Sequence, residues 1–550
     1  MIGAQSRGQN GGAIVVKSTN TVPQTTTPPC DTPKQACDIA PSVQSALSTE
    51  RARVGLALMN LVRAALGTHG KTHLNSSDDA AGSKPADMPP AGVADTSSGN
   101  PTDAADAAGQ WARIHALAAS QSLQAISWIG VNATPALAAS VPATIASAWE
   151  NEANLTLYRQ ITFDMARERI LAQLSARGIS SMPLKGVHTA TYYPQPGMRS
   201  MSDNDILVGF IERGSDGPWQ PVRDPDADAR LRRIVIDVML ADGYDISEDT
   251  ESDTGFIKKP FLSFEMHRML EMRYRGAIHD YYANPWRRAQ PDSTDPHLMR
   301  WSLEDQYLFH ITHMQKHYAI GGCGLRFVVD ERVLLDRMGR PDESGESQSE
   351  QQSESSESQS KQGGQRQSGA DWRYINDELS KLGLTDFERR VRHLAEALFG
   401  GERIGNDDAA LFLYMLDSGT YGTAEHQQQM RMQRALGEDA DMPERYARIG
   451  RAEGGIDGSG DGDAAADDAS TGSGRRMPIA ARLRYIWRRL YPERSELVGF
   501  YPLFARHPWL IPISPLYRVF VSLRKRPDQL RDELQRLSGR KSSGRKSSGQ

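Results

Sequence analysis

A chain of 550 residues with only 39% hydrophobic side chains falls short of the apolar share of globular proteins, so its foldable part is much shorter than its length. Lys and Arg number 64 against 69 Asp and Glu, a formal charge of -5, so there is no global basic field to argue for nucleic-acid binding through phosphate neutralisation. Cys30, Cys37 and Cys323 have neither the spacing of a zinc site nor the density of a disulfide scaffold, which favours a reducing cytoplasm.

The start, MIGAQSRGQNGGAIVVKSTN, lacks a charged segment followed by an apolar core, so no signal peptide is expected. Residues 1–44 are rich in Thr, Pro, Gln and Gly without periodicity and read as disordered. Arg51 to Leu66 is apolar at helical spacing, within a helical segment placed at 45–70. Residues 71–108 return to low complexity and read as a disordered linker.

Helices are expected over 109–178. Ile114 to Trp149 contains no Asp, Glu, Lys or Arg, but it is rich in Ala and Ser and broken by Pro135 and Pro142, which argues against a membrane span. Ile145 to Arg177 forms a longer helix with Phe163, Ala166, Ile170 and Leu174 on one stripe and Gly178 as its stop.

Past Gly178 the pattern shortens. Ile179 to Leu184 and Asp203 to Val208 are apolar runs bounded by Gly and Pro, as strands are. Asp224 to Gly243 returns to helix, with Leu231, Ile234, Val235, Val238 and Met239 on one face, and Phe256 to His267 is extended again. From Leu303 onward, everything outside low complexity reads as helix, placed at 301–341, 371–450 and 476–525. Ser/Gln-rich and Gly/Asp-rich insertions at 342–370 and 451–475, and a basic tail at 526–550, read as disordered. The fold class is α+β: a mixed sheet over 179–300 flanked by helices, with an additional helical region.

Side chains alternate along a strand, so Asp203 and Asp205 emerge on one face. In FLSFEMH, Leu262, Phe264 and Met266 form one face and Phe261, Ser263, Glu265 and His267 the other. If this strand lies beside the first, three carboxylates converge, the hard-oxygen set that holds Mg²⁺ or Mn²⁺. The chemistry indicated is transfer of a phosphorus group.

PLKGVHTATYYPQPGMRSMSDNDILV resembles the signature of the uncharacterised nucleotidyltransferase family within the polymerase-beta-like superfamily. FEMHRML resembles the family's E-x-H strand, and EDQYLFHITHMQKHYAIGGCGLRFVVDERVLL its helical segment with H-x-x-H-x-x-K-H and R-x-x-x-D. LDSGTYGT and YPLFARHPWLIPISPLYR are also similar, so the likeness covers Asn151 to Met338 and pieces of Phe412 to Leu523. The resemblance implies a minimal nucleotidyltransferase fold, in which Asp203, Asp205 and Glu265 are the catalytic, metal-binding acids. Two departures stand out. The superfamily's Gly-Ser or Gly-Gly pair appears as Gly186-Val187, farther from Asp203 than usual, and Asn204 replaces an apolar residue between the acids.

Candidates for nucleotide binding are Lys185, which is otherwise an exposed strand-end lysine, Gly186 at the start of a short helix, and Arg199, which either pairs with the acids or binds leaving pyrophosphate. His310, His313 and His317 share one helical face with Lys316 adjacent, open to packing, to substrate contact or to a metal lacking its fourth ligand. His267, Lys316 and His317 are the candidates for substrate contact. Arg326 and Asp330, four apart, are expected to form a helical salt bridge. Ser418, Gly419, Thr420 and Gly422 are either a helix-terminating loop or a phosphate contact. The expected reaction moves a nucleoside monophosphate from an NTP, with ATP the expected donor, to a hydroxyl on a small molecule or protein. The alternative is a catalytically silent nucleotide-binding or protein-interaction module of the same fold.

Overall fold

The computed structural model describes residues 47–67, 101–215, 217–224, 226–250, 252–270, 277–339, 369–422, 497, 503–504 and 507–525. The stretches read as disordered at 1–44, 71–100, 342–368, 451–475 and 526–550, and the helical readings at 423–450 and 476–496, lie outside the described residues.

Helix α1 (Glu50–Leu66) starts where the Thr49 hydroxyl accepts from the Ala52 amide at 3.3 Å, and it stops at Gly67, whose φ of 72° suits glycine. Helix α2 (Pro101–Ser120) begins inside the linker expected to reach 108, which corrects that reading. Proline in the first helical position forfeits no hydrogen bond, and Ala104, Ala105, Ala107 and Ala108 have the highest helix propensity, so a polar-looking stretch still folds. Next come α3 (Gln124–Val131), α4 (Pro135–Ser140) and α5 (Ala143–Ser175). Pro135 opens α4 and Pro142 caps α5, so the two prolines delimit helices. No helix of the described residues is long and apolar enough to cross a membrane.

The sheet region runs β1 (Ser180–Pro183), α6 (Gly186–Tyr192), β2 (Asn204–Gly209), β3 (Ile211–Arg213), β4 (Trp219–Pro221), α7 (Ala227–Ala241), β5 (Asp245–Asp249), β6 (Asp253–Lys258) and β7 (Leu262–His267). It closes with α8 (Ala277–Tyr281), β8 (Gln290–Pro291) and β9 (Met299–Arg300). Helices α9 (Leu303–Ile320), α10 (Leu325–Met338), α11 (Trp372–Leu382), α12 (Thr385–Gly400) and α13 (Asn406–Ser418) follow, and a short 3-10 segment, Pro508–Ile513, leads into α14 (Ser514–Lys525).

The main sheet has five strands in the order β1-β2-β7-β6-β5; β2 and β7 are parallel and the other neighbours antiparallel. The mixed sheet flanked by helices is the α+β arrangement expected. The extended run from Phe256 to His267 is two strands, because the chain turns at Lys259 and Pro260 and pairs with itself. β5 had no sequence signal: DISED carries four polar residues and one exposed isoleucine, so no apolar alternation marks this edge strand.

One face of the sheet is apolar. Ile206 and Val208 of β2, Phe264 and Met266 of β7 and Phe256 of β6 pack against Ala166, Ile170 and Leu174 of α5 and Leu231, Val235, Val238 and Met239 of α7. Each fully buried side chain of this kind contributes about 1.5–3 kcal/mol. Strand periodicity then forces Asp205, Glu265 and His267 onto the opposite face, toward the helical region.

Gly130 tests the helical packing. A Cβ built there would overlap the backbone carbonyl of Leu61, with the carbonyl carbon only 2.6 Å away, so α1 and α3 touch backbone to backbone. Gly130→Ala is expected to destabilise the protein by about 1–3 kcal/mol through overpacking. Gly109→Ala meets only the Arg113 guanidinium, at 3.6 Å, and is expected to stabilise α2 by about 0.5–1 kcal/mol. Urea denaturation of both variants checks the pair; equal effects would refute the close approach.

Candidate active site

The parallel register sets Asp205 opposite Glu265 and Leu207 opposite His267. The His267 Nε2 lies 2.8 Å from Asp205 Oδ1 and 3.5 Å from Glu265 Oε2, and Lys185 Nζ donates to the same Asp205 oxygen at 2.8 Å. Ligand atoms of Asp205, Glu265 and His267 all fall within 4.8 Å of one another. Asp203 lines the same cavity but stands outside that tight group, so His267, expected only to touch substrate, takes the third place beside Asp205 and Glu265. Asn204 points to the other face, where its buried Oδ1 accepts from Arg167 Nη1 at 3.1 Å.

The charges are uneven. Burial opposes ionisation of Asp205, but the Lys185 charge and the His267 hydrogen bond hold its carboxyl well below the usual range. Partial burial and then the Asp205 charge push Glu265 up to about 7, and burial with the Asp205 charge also raises Asp203. Burial works against the Lys185 ammonium, yet the Asp205 carboxylate raises it overall, so the lysine stays protonated. Three carboxylates thus share one cavity with a single lysine in contact, and Asp203 and Glu265 ionise less readily than ordinary carboxyls. This donor set fits a divalent cation.

Lys185 occupies φ 51°, ψ -123°, which a side-chain-bearing residue rarely adopts. The Leu184 amide donates to the Asp205 carbonyl at 2.9 Å, which holds this bend against β2. Gly186 follows because a Cβ there would collide with the Arg199 guanidinium, whose Cζ would be 3.0 Å away. The glycine therefore serves the packing of Arg199.

Arg199 does not reach the acids. Its Nε and Nη2 donate to the two Asp330 carboxylate oxygens at 2.8 and 2.9 Å, its Nη1 meets Met201 Sδ at 3.4 Å, and Tyr193 adds a hydroxyl bond to Asp330 at 2.8 Å. The Arg326–Asp330 salt bridge expected from helical spacing is replaced by this pair, because a buried two-pronged guanidinium–carboxylate contact outcompetes a neighbour on the same helix. Arg326 instead donates to the Ser200 carbonyl and the Tyr421 hydroxyl.

Together with the acids, α9, α10 and the loop after α13 complete a cavity of about 550 Å³ lined by His310, His313, Lys316, His317, Arg326 and Tyr421, among others. The three histidines do not converge. His313 and His317 share an Nε2–Nε2 contact of 3.0 Å, whereas His310 turns to Glu331, 3.3 Å away. Burial and then neighbouring cations hold His313 well below its ordinary range, and burial with the Lys316 charge takes His317 down to about 4, so both are neutral near pH 7. Among the described residues they form no three-ligand metal group. The 418–422 loop ends α13, with Gly419 at φ 63° and Gly422 at φ 91°, and Thr420 Oγ1 donates to the Ser120 carbonyl at 3.1 Å. It also delivers Tyr421, which sequence reasoning passed over, to a position where its hydroxyl is 3.2 Å from that of Ser202; an aromatic residue between glycines was the available signal.

The family model described as Uncharacterised nucleotidyltransferase matches residues 107–210 and 228–352 of the chain. These two stretches contain Lys185, Arg199, both aspartates, Glu265, His267, the α9 histidines, Arg326 and Asp330. No curated protein and no solved structure matches the chain significantly.

The buried ion pair makes a pH-dependent prediction. Burial raises the Asp330 carboxyl, but the Arg199 charge and hydrogen bonds bring it below its ordinary value. A depressed carboxyl contributes stability above the ordinary carboxylate range and loses it as pH falls through the folded-state pKa. Asp330→Asn is expected to cost about 3–5 kcal/mol near neutral pH. That deficit should narrow below about pH 4. Urea titrations of wild type and variant at both pH values read it; a constant gap would show that Asp330 acts as a neutral hydrogen-bond acceptor.

Proposed function

We propose that the chain is a divalent-metal-dependent nucleotidyltransferase that moves a nucleoside monophosphate from an NTP to a hydroxyl acceptor and releases pyrophosphate. The observation that carries this reading is the side-by-side placement of Asp205 and Glu265 by the parallel β2–β7 register, with Asp203 on the same cavity wall. The match to a nucleotidyltransferase family model over the stretches that hold these residues supports it.

Asp205 and Glu265, with Asp203 alongside, would hold Mg²⁺ or Mn²⁺. When bound, such an ion neutralises triphosphate charge and lowers the pKa of an attacking hydroxyl. His267 buttresses Asp205 through its 2.8 Å contact and fixes which oxygen faces the cavity. Lys185, protonated beside Asp205, supplies a point charge for a phosphate oxygen. Arg199 shapes this wall through Gly186 and Asp330 and does not itself take phosphate. Lys316 and the His317 side of the cavity face the space left for donor or acceptor, with ATP the first donor to try and the acceptor a small molecule or a protein side chain. Cys323, buried as a free thiol, suits a reducing cytoplasm.

A silent nucleotide-binding module of the same fold is the second reading. Gly186 favours it, since the missing Cβ there serves Arg199 and not a phosphate. It predicts nucleotide binding indifferent to Mg²⁺.

Asp203→Asn and Asp205→Asn are each expected to reduce nucleotide transfer by at least about 100-fold, with the circular-dichroism spectrum and melting transition retained. Calorimetric titration of a non-hydrolysable ATP analogue should show Mg²⁺-dependent binding that disappears in the double variant. Full Mg²⁺-dependent binding by that variant would sink the assignment.

A further inference from the structure

Arg326 is a buried charge in the cavity lining that the proposed chemistry leaves unused. It sits in the first turn of α10, is only 5% exposed, and lines the same cavity as the acids. Nη1 donates to the Ser200 carbonyl at 3.2 Å and Nη2 to the Tyr421 hydroxyl, while the Tyr421 ring covers the guanidinium with 4.9 Å between Cζ and the ring centre. The Nε–H has no hydrogen-bond partner. Among the described residues no carboxylate lies within ion-pair distance of Arg326, because the obvious one, Asp330, has both oxygens on Arg199. Its positive charge nonetheless reaches Asp203, which it helps to ionise.

A guanidinium removed from water without a counter-ion is costly, and an unmade bond on a buried donor adds about 1–3 kcal/mol. Such an arrangement persists where a ligand completes it. The ligand must be anionic, must accept from N–H groups and must reach between Arg326 and the acid wall. A lone carboxylate answers the first two requirements, but a single charged group cannot be shared between a cation on the acid wall and Arg326. A polyphosphate chain answers all three, since a cation held by Asp205 and Glu265 would draw one part of it and Arg326 another.

We infer that Arg326 is a polyphosphate-binding residue, which within the nucleotidyltransferase reading on which this rests receives the β- and γ-phosphates that leave as pyrophosphate. Tyr421 and the Ser200 carbonyl hold the guanidinium plane in the cavity lining. Lys316, in the lining of the same cavity, adds a second positive charge.

The test is calorimetry on the full chain with Mg²⁺ and three probes: inorganic pyrophosphate, AMP and a non-hydrolysable ATP analogue. Arg326→Gln should weaken pyrophosphate and the ATP analogue by about tenfold or more, as expected for loss of a charge-assisted hydrogen bond, and leave AMP within about twofold. Arg326→Lys should fall between, keeping charge without the planar fork. Melting curves accompany each variant, and if Arg326→Gln does not fold, Arg326→Lys carries the comparison.

Unchanged pyrophosphate affinity in a folded variant, or AMP weakened as much as the ATP analogue, would overturn the inference. Loss of nucleotide in Asp205→Asn but not in Arg326→Gln would leave the enzyme reading standing and remove this one. Arg326-dependent pyrophosphate binding without nucleotide binding would do the reverse. No binding of any probe by the wild type would overturn both.

Discussion

A two-pronged ion pair between Arg199 and Asp330, buried at both ends, connects the loop that leads into the acid strand with α10, most of whose residues are buried. Removing two charges from water costs several kcal/mol for each ion, and only good geometry with further hydrogen bonds repays it. Here the fork geometry and the Tyr193 hydroxyl provide that repayment. Much else follows from this contact. Residue 186 must be glycine to leave room for the guanidinium, the chain before Asp203 is anchored against the helical region, and Arg326 is left without its expected partner.

The sheet divides hydrophobic and acidic chemistry by alternation alone. Ile206, Val208, Phe264 and Met266 secure the strands to α5 and α7. That anchoring obliges Asp205, Glu265 and His267 to face the cavity, and the parallel register fixes their separation. The apolar packing supplies the free energy that keeps mutually repelling carboxylates together. Burial and then the Asp205 charge raise Glu265 and Asp203, while Lys185 and His267 hold Asp205 ionised.

Local, periodic signals on α5 and α7 were legible in the sequence. The α5 stripe of Phe163, Ala166, Ile170 and Leu174 is buried as its spacing required, and on α7 only Ile234 of the five expected residues is not fully buried. Reading from sequence failed where several partners competed for one group. Asp330 had an arginine one helical turn away and another far off in sequence, and spacing favoured the near one. It also failed where polarity hid structure: α2 begins in an alanine-rich run that resembled a linker, and β5 is a charged edge without alternation.

The amino-acid sequence by itself determined the α+β class, the two-faced strands and the acids that could meet, because period-two and period-3.6 patterns follow from covalent geometry and the burial of apolar surface. Only the tertiary structure decided that β2 and β7 lie parallel with Asp205 beside Glu265, that His267 joins them, and that Arg199 takes Asp330 and leaves Arg326 in the cavity lining without it. The physical reason is that pairing among buried charges depends on distance and desolvation in three dimensions, which separation along the chain does not encode.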